Sequence, residues 1–144
     1  MRILLIEDDD LQARLLQDFL KRHSADGANG SADAPPVELQ RVSDGDEALS
    51  LLPAGGKGAK TPNLVILDLG LERIDGLDFL LELRSIPRYR SVPVVVLSGT
   101  AHAEDVRSAY ERGANSYLKK PGDPRQLGQL VDQLLGYWGR YNLT

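Results

Sequence analysis

The sequence predicts an α/β fold, a doubly wound sheet of five parallel strands with helices on both faces. Short apolar runs rich in β-branched residues recur five times along the chain, and a segment of helical periodicity follows each of them. The chain has 144 residues, of which 42% are hydrophobic. This size and composition suit one domain, residues 1–144, built around a single core.

The strands are predicted from apolar runs bounded by turn residues. The run at 64–68 places four apolar residues directly before Asp68, which is typical of a strand buried on both faces. The run at 37–42 alternates instead, which indicates a strand nearer the edge of the sheet. In chain order, the predicted strands are residues 2–6, 37–42, 64–68, 92–98 and 116–120.

The helices are predicted from apolar residues three and four apart. The first helix carries Leu11, Leu15, Leu16, Phe19 and Leu20 on one face. The later helices are expected from Asp44 as an N-cap, at 76–86 before Pro87, at 104–112 before Gly113, and from Pro124. The last is an extended C-terminal helix and tail with an apolar stripe of Leu127, Leu130, Val131, Leu134, Leu135 and Trp138.

Two segments do not resemble core sequence. Residues 23–36 and 53–62 are rich in Gly, Ala, Ser and Pro. We expect both to be lengthened surface loops on the side of the sheet opposite the acidic residues, where they cost little stability.

Composition narrows the classes of function. A formal net charge of −4 and the pI near 5.1 argue against nucleic acid or an anionic membrane surface as a partner. The absence of cysteine excludes disulfides and thiolate metal sites. No apolar run approaches the roughly 18 residues of a membrane span, and the N-terminal run is too short for a secretory signal. We expect a cytoplasmic protein.

Polar residues whose side chains could take part in a reaction stand at the ends of four of the predicted strands. Glu7 and Asp8 stand at the end of the first strand, Asp68 ends the third, Ser98 the fourth and Lys120 the fifth. Because parallel strands end at one edge of the sheet, where open sheets of this kind bind ligands, these side chains are expected to meet.

Three carboxylates in one cleft repel one another, and a divalent cation removes the repulsion. Oxygen ligands without His or Cys favour a hard ion, and few protein ligands favour Mg²⁺ over Ca²⁺. Lys120 would supply a positive charge to a phosphoryl group and Ser98 a hydrogen bond. Asp68 is then the expected nucleophile, forming an aspartyl phosphate.

Each residue also has a structural interpretation. The acids at 7–10 could mark a helix start, Asp68 could cap a loop, and Ser98 could be a turn residue. Lysines are ordinarily solvated. The coincidence at successive strand ends favours the functional interpretation.

The segments RILLIEDDD, LVILDLGLERIDG, VPVVVLS and GANSYLKKP resemble the receiver domain of two-component response regulators, the CheY-like family, over nearly the whole chain. The separations also match, with 30 residues from Asp68 to Ser98 and 22 from Ser98 to Lys120. The resemblance implies a flavodoxin-like sheet with strand order 2-1-3-4-5.

The resemblance also implies roles for individual residues. Asp68 would be the phospho-acceptor, with Mg²⁺ held by Asp8, Asp68, the Gly70 backbone carbonyl and, through water, Glu7. Ser98 and Tyr117 would be the switch pair, Lys120 the family's lysine, and Lys120–Pro121 a cis peptide. Leu71-Glu72 replaces the common Met-Pro, so we expect a less rigid loop. Gly70 stands at a position that tunes phosphate lifetime.

A narrower similarity, in the long loops and the closing LLGYWGRYNLT, is to response regulators that stand alone and partner phytochrome-type histidine kinases. Their frequent dimerisation implies a homodimer through helix four, strand five and helix five. Tyr137 and Tyr141 lie off the core stripe and are expected to form its aromatic ridge with Tyr110.

We therefore expect a single-domain response regulator of a phosphorelay. We expect a phospho-acceptor signalling protein rather than an enzyme, one that would catalyse its own phosphotransfer and dephosphorylation. About six residues follow Trp138, too few for an effector domain, so output is expected through a protein contact or onward phosphotransfer. The alternatives are a haloacid-dehalogenase-like phosphatase, whose second Asp is replaced by Gly70, a receiver-like module that works without phosphorylation, and a flavin protein.

Overall fold

One parallel sheet organises the structure, a computed structural model that describes residues 1–30, 36–52, 60–69 and 73–143. Its strand order is β2-β1-β3-β4-β5, as expected. The strands are β1 (Arg2–Ile6), β2 (Glu38–Val42), β3 (Leu64–Leu69), β4 (Val94–Ser98) and β5 (Ser116–Lys119). All six residues of β3 are buried, which explains its nearly continuous apolar sequence at the centre of the sheet.

Five α-helices connect and follow the strands. They are α1 (Asp10–Gly30), α2 (Gly45–Leu51), α3 (Arg73–Ser85), α4 (Ala103–Glu111) and α5 (Pro124–Leu135). A 3₁₀ turn, Pro87–Tyr89, follows α3, and a π-helical segment, Gly136–Tyr141, continues α5. No helix in the described part of the chain is long and apolar enough to cross a bilayer.

The expected loop at 23–36 is partly wrong, because α1 continues through Gly30. Extending an existing helix adds one hydrogen bond for each residue fixed, so residues of modest propensity can continue it. The prolines that would stop the helix, Pro35 and Pro36, come only later. Residues 31–35, and 53–59 of the second expected loop, lie outside the described residues.

Each face of the sheet has its own apolar core. One core includes Ala48 of α2, Leu80 and Leu83 of α3, and Ala109 of α4. The core on the opposite face is formed with α1 and α5. It contains Leu16 and Leu20 of α1 and the predicted α5 stripe of Leu127, Val131, Leu134 and Leu135, with Leu130 and Trp138 packed at its margin.

Arg84 closes the edge of the sheet opposite the carboxyl ends of the strands. Its guanidinium donates to the backbone carbonyls of Tyr89, Arg90, Val92 and Gly113 and to the Asn115 side-chain oxygen, at 2.7–3.1 Å. Burial lowers the pKa of Arg84. Gly113 has a φ of 100°, and a side chain there would collide with Arg84. This edge is therefore fixed structurally, and the opposite edge holds the reactive groups.

Candidate functional site

The carboxyl edge of the sheet gathers the buried polar side chains. Parallel register sets Leu69 beside Ser98, and Ser98 beside Lys119, so β3, β4 and β5 end together. Among the described residues, only Glu7, Asp68 and Ser98 are buried and polar, with 2%, 9% and 1% of their surfaces exposed. Buried polar groups are costly and need compensation, so their concentration at one edge indicates a functional site.

Lys120 joins the carboxylates. Its ammonium forms an ion pair with Asp68 Oδ2 and lies 3.5 Å from Glu7 Oε2 and 3.5 Å from Gln12 Oε1. The Lys120 backbone N–H donates to the Ser98 carbonyl at 2.7 Å, which continues the β4–β5 pairing and aims the side chain at this edge. The side chain of Asp68 is 3% exposed and that of Lys120 is 13% exposed. A charge pair with so little exposure to solvent is stable only while both partners are present.

Glu7 is the least compensated group of the site. Its Oε1 accepts the Asp9 N–H at 3.0 Å, whereas Oε2 is buried and has no hydrogen-bond partner among the described residues. The Lys120 ammonium is near Oε2, but at 3.5 Å the contact is ionic. Burial, and next the adjacent Asp68, raise the pKa of Glu7 to about 8. The site therefore carries one buried carboxyl oxygen, Glu7 Oε2, that lacks a hydrogen-bond donor among the described residues.

The four consecutive acids have different roles. Asp9 accepts the Gln12 N–H at 2.9 Å and caps the start of α1, so the helix-start interpretation holds for this residue. Asp10 pairs with Arg41 at 2.8 Å. Asp8 is exposed and follows the buried Glu7 in the chain.

The predicted metal ligands are therefore only partly brought together. Within the ranges that the structure describes, no three acidic or histidine side chains converge on one point, and Gly70 lies outside these ranges. The donor set nevertheless fits a hard divalent cation. The unpartnered Oε2 of Glu7 lies at the same edge as Asp68, with Asp8 following Glu7 in the chain.

A hydrogen-bonded path leads from Ser98 to the surface. The Ser98 hydroxyl is 3.3 Å from the Thr100 hydroxyl and accepts the Thr100 N–H at 3.2 Å. The Tyr117 hydroxyl donates to the Thr100 carbonyl at 3.1 Å, and the Tyr117 N–H donates to the Tyr110 hydroxyl at 3.0 Å. Thr100 therefore joins the two predicted switch residues, Ser98 and Tyr117.

Sequence reasoning missed three residues of this region. Thr100 follows the switch hydroxyl by two positions, and that proximity was the available signal. Gln12 and Arg41 gave no signal, because a polar residue on a first helical turn and a charge on an edge strand are ordinarily solvated. Their contacts depend on tertiary geometry.

The expected cis peptide between Lys120 and Pro121 is wrong for this structure. Every peptide bond in the described part of the chain is trans. The trans form of a bond before proline is favoured by about 0.5–1 kcal/mol. The Lys120 ammonium reaches Asp68, and its N–H reaches Ser98, with the bond trans.

Comparison with known proteins identifies the arrangement. The response regulator receiver domain family matches residues 3–132. Response regulator Rcp1 of Synechocystis is 33% identical over 138 residues, which cover 94% of this chain and 87% of Rcp1. The probable methanogenesis regulatory protein FilR2 of Methanothrix harundinacea is also 33% identical, over 97% of this chain and 84% of that protein.

Two solved structures of response regulators are also similar to this chain. The phosphorylated cyanobacterial phytochrome response regulator RcpA has a TM-score of 0.81 and 33% identity over 99% of this chain and 96% of that chain. The Mn²⁺-bound form of Rcp1 has a TM-score of 0.80 and 32% identity with the same coverage. Fold, site and sequence agree, and the chain belongs to the response regulator receiver domain family.

Proposed function

We propose that Asp68 accepts a phosphoryl group from a phosphohistidine on a sensor kinase and thereby switches a protein-binding surface. The observation that carries this proposal is the largely buried Asp68–Lys120 ion pair. It lies at the same edge of the sheet as the Ser98 hydroxyl and the Glu7 carboxyl, whose Oε2 has no hydrogen-bond partner among the described residues. Membership of the receiver family does not favour the phosphatase alternative. The intact acids and Lys120 count against a module that works without phosphorylation.

Mg²⁺ is the proposed cofactor, held by Asp8, Asp68 and the Gly70 carbonyl, with Glu7 acting through water. When bound, it neutralises charge on the phosphoryl oxygens. The all-oxygen donor set suits this ion, and the Mn²⁺-bound form of the relative Rcp1 supports a divalent cation here.

In the proposed reaction, an Asp68 oxygen attacks phosphorus and the bond from phosphorus to the histidine nitrogen breaks. The imidazole keeps the electron pair and takes a proton from water. Lys120 exchanges its contact with Asp68 for one with the transferred group, so its charge remains compensated. Water later cleaves the acyl phosphate, at a rate that we propose depends on the residue at position 70.

The donor we propose is a phytochrome-type histidine kinase in the cytoplasm. Support comes from the similarity to RcpA and to response regulator RPA3017, described as acting in red light signalling of R. palustris, which has a TM-score of 0.80 and 26% identity over 99% of this chain and 96% of that chain. The downstream partner would be a protein surface or a further phosphotransfer domain.

The switch that we propose runs along the contacts from Ser98 to Tyr110. A phosphoryl group on Asp68 would draw the Ser98 hydroxyl away from Thr100. Since the Thr100 carbonyl holds the Tyr117 hydroxyl, this shift reaches β5. Tyr110 on α4 holds the Tyr117 N–H, so the shift also reaches the exposed face formed by α4, β5 and α5.

That face is the proposed homodimer interface. Tyr110, Tyr137 and Tyr141 are 48%, 57% and 72% exposed. Tyr137 packs edge-on against Trp138, with ring centroids 4.9 Å apart, and Arg140 lies 5.7 Å from the Tyr141 ring centroid. Side chains already ordered in this way lose less entropy on association.

Replacing the acceptor should abolish phosphorylation. With Mg²⁺ and a small acyl-phosphate donor, the wild type should gain one phosphoryl group and Asp68→Asn none, because the amide is not a nucleophile. Intact-protein mass spectrometry measures this. Asp78→Asn, at an exposed acid of α3, is the matched control and should label normally. Full labelling of Asp68→Asn would contradict the assignment.

Lys120→Ala should uncouple phosphate from the switch. Beryllium fluoride with Mg²⁺ should shift the Tyr117 amide resonance in the wild type and in the neighbouring Lys119→Ala control, but not in Lys120→Ala. Cation binding should survive, because the ammonium competes with the metal for Asp68. A full beryllium fluoride response in Lys120→Ala would show that its charge is not needed.

Glu7 should make the metal-free protein less stable as pH rises. Its carboxyl keeps a proton to about pH 8 when folded but releases it near 4.5 when unfolded. Between these values the folded state binds more protons, so the free energy of unfolding should fall by up to about 1.4 kcal/mol per pH unit. Saturating Mg²⁺ should weaken this dependence, because it favours the ionised carboxylate.

Denaturant unfolding at several pH values measures this slope. Glu7→Gln should have a smaller slope than the wild type, and the exposed Glu82→Gln should match the wild type. Equal slopes in wild type and Glu7→Gln would assign the pH dependence elsewhere.

The exposed tyrosines of the proposed interface, Tyr110, Tyr137 and Tyr141, should control self-association. We expect the wild type to sediment as a dimer at tens of micromolar, and Tyr137→Ala with Tyr141→Ala as a monomer. Leu81→Ala, which removes an exposed apolar side chain of α3, should remain dimeric. A wild type that stays monomeric with and without beryllium fluoride would refute the interface.

A further inference from the structure

Arg41 joins the edge strand β2 to the acidic loop that follows β1. Its Nε and Nη2 donate to the Glu7 carbonyl at 3.0 and 2.8 Å, and Nη2 is also 3.4 Å from the Asp8 carbonyl. Its Nη1 donates to Asp10 Oδ1 at 2.8 Å. With its side chain 22% exposed, Arg41 is largely packed against the protein. One side chain thus contacts three of the four consecutive acidic residues.

These contacts give the four consecutive acidic residues different roles. The carbonyl contacts fix the backbone of Glu7 and Asp8, from which the proposed metal ligands project. The ion pair neutralises Asp10, a rival carboxylate two positions from Asp8. Asp9 is already engaged in capping α1. Asp8, Asp9 and Asp10 are all exposed, and of the four acids Asp8 is the one whose side chain has no hydrogen bond or ion pair with the described residues.

We propose that Arg41 is a positioning residue for the divalent cation, an inference that rests on the metal site of the proposed function. Arg41 contacts backbone carbonyls and Asp10, so it acts on the metal through the loop that carries Glu7 and Asp8. Residues that orient metal ligands in this way typically affect metal affinity 10–100-fold.

Two effects of Arg41 oppose each other, and substitutions separate them. As a positive charge near the site, Arg41 repels a cation; as a clamp on two carbonyls, it organises the ligands. Arg41→Lys keeps the charge, but an ammonium cannot reproduce the planar fork of donors. A charge effect alone predicts unchanged affinity for Arg41→Lys and tighter binding for Arg41→Ala. Positioning predicts weaker binding for both.

The experiment is a Mn²⁺ titration followed by electron paramagnetic resonance of the free ion, with Mg²⁺ as competitor. We expect Arg41→Lys and Arg41→Ala to bind Mn²⁺ at least about tenfold more weakly than the wild type. Arg14→Lys, at an exposed arginine of α1, should stay within about twofold of the wild type. Circular dichroism without metal checks that each variant is folded, and Arg41→Lys decides if Arg41→Ala is not.

The outcomes distinguish the two proposals. A wild type that binds Mn²⁺ while Arg41→Lys binds equally well overturns the role of Arg41 and leaves the metal site standing. A folded wild type that binds no Mn²⁺ overturns the metal site itself, and the role of Arg41 with it.

Discussion

The Asp68–Lys120 ion pair is the interaction on which the site depends. It joins the central strand β3 to the residue after β5, at an edge where Glu7 and Ser98 are also buried. Neither charge would be stable alone in such surroundings. In the proposed function, a divalent cation would take the place of Lys120 beside Asp68, and a transferred phosphoryl group would become the new partner of Lys120. Stability and the proposed switch would therefore draw on one set of charges.

The two edges of the sheet differ in how their side chains are connected. Arg84 holds the opposite edge of the sheet through five acceptors, four backbone carbonyls and the Asn115 side-chain oxygen. At the carboxyl edge, by contrast, Thr100 joins Ser98 to Tyr117, and Tyr110 joins Tyr117 to the surface. These contacts form the path along which the proposed switch would reach the surface.

Much of the fold could be predicted from the sequence. Apolar runs and helical periodicity identified the elements, since each core position recurs with the period of its helix or strand. The strand order came from the family resemblance and is confirmed. The predicted end of α1 is wrong. The Gly and Ser residues within 23–30 indicate a loop, whereas the helix continues through them to Gly30.

The composition of the site was less completely predictable. Glu7, Asp68 and Ser98 were placed at one edge because they end parallel strands, and the structure buries all three. The sequence does not predict the roles of Arg41, Gln12 and Thr100, because their contacts depend on side chains that cross between elements. The cis bond expected at Pro121 came from the resemblance alone, and this chain's geometry reaches Asp68 without it.

The most direct test of the account is to locate the phosphoryl group chemically. Borohydride reduces an aspartyl phosphate to homoserine, which peptide mass spectrometry can assign to one position. After phosphorylation with Mg²⁺ and an acyl-phosphate donor, we predict homoserine at position 68. Homoserine at another aspartate, or none in a folded protein that carries phosphate, would contradict the central role of Asp68.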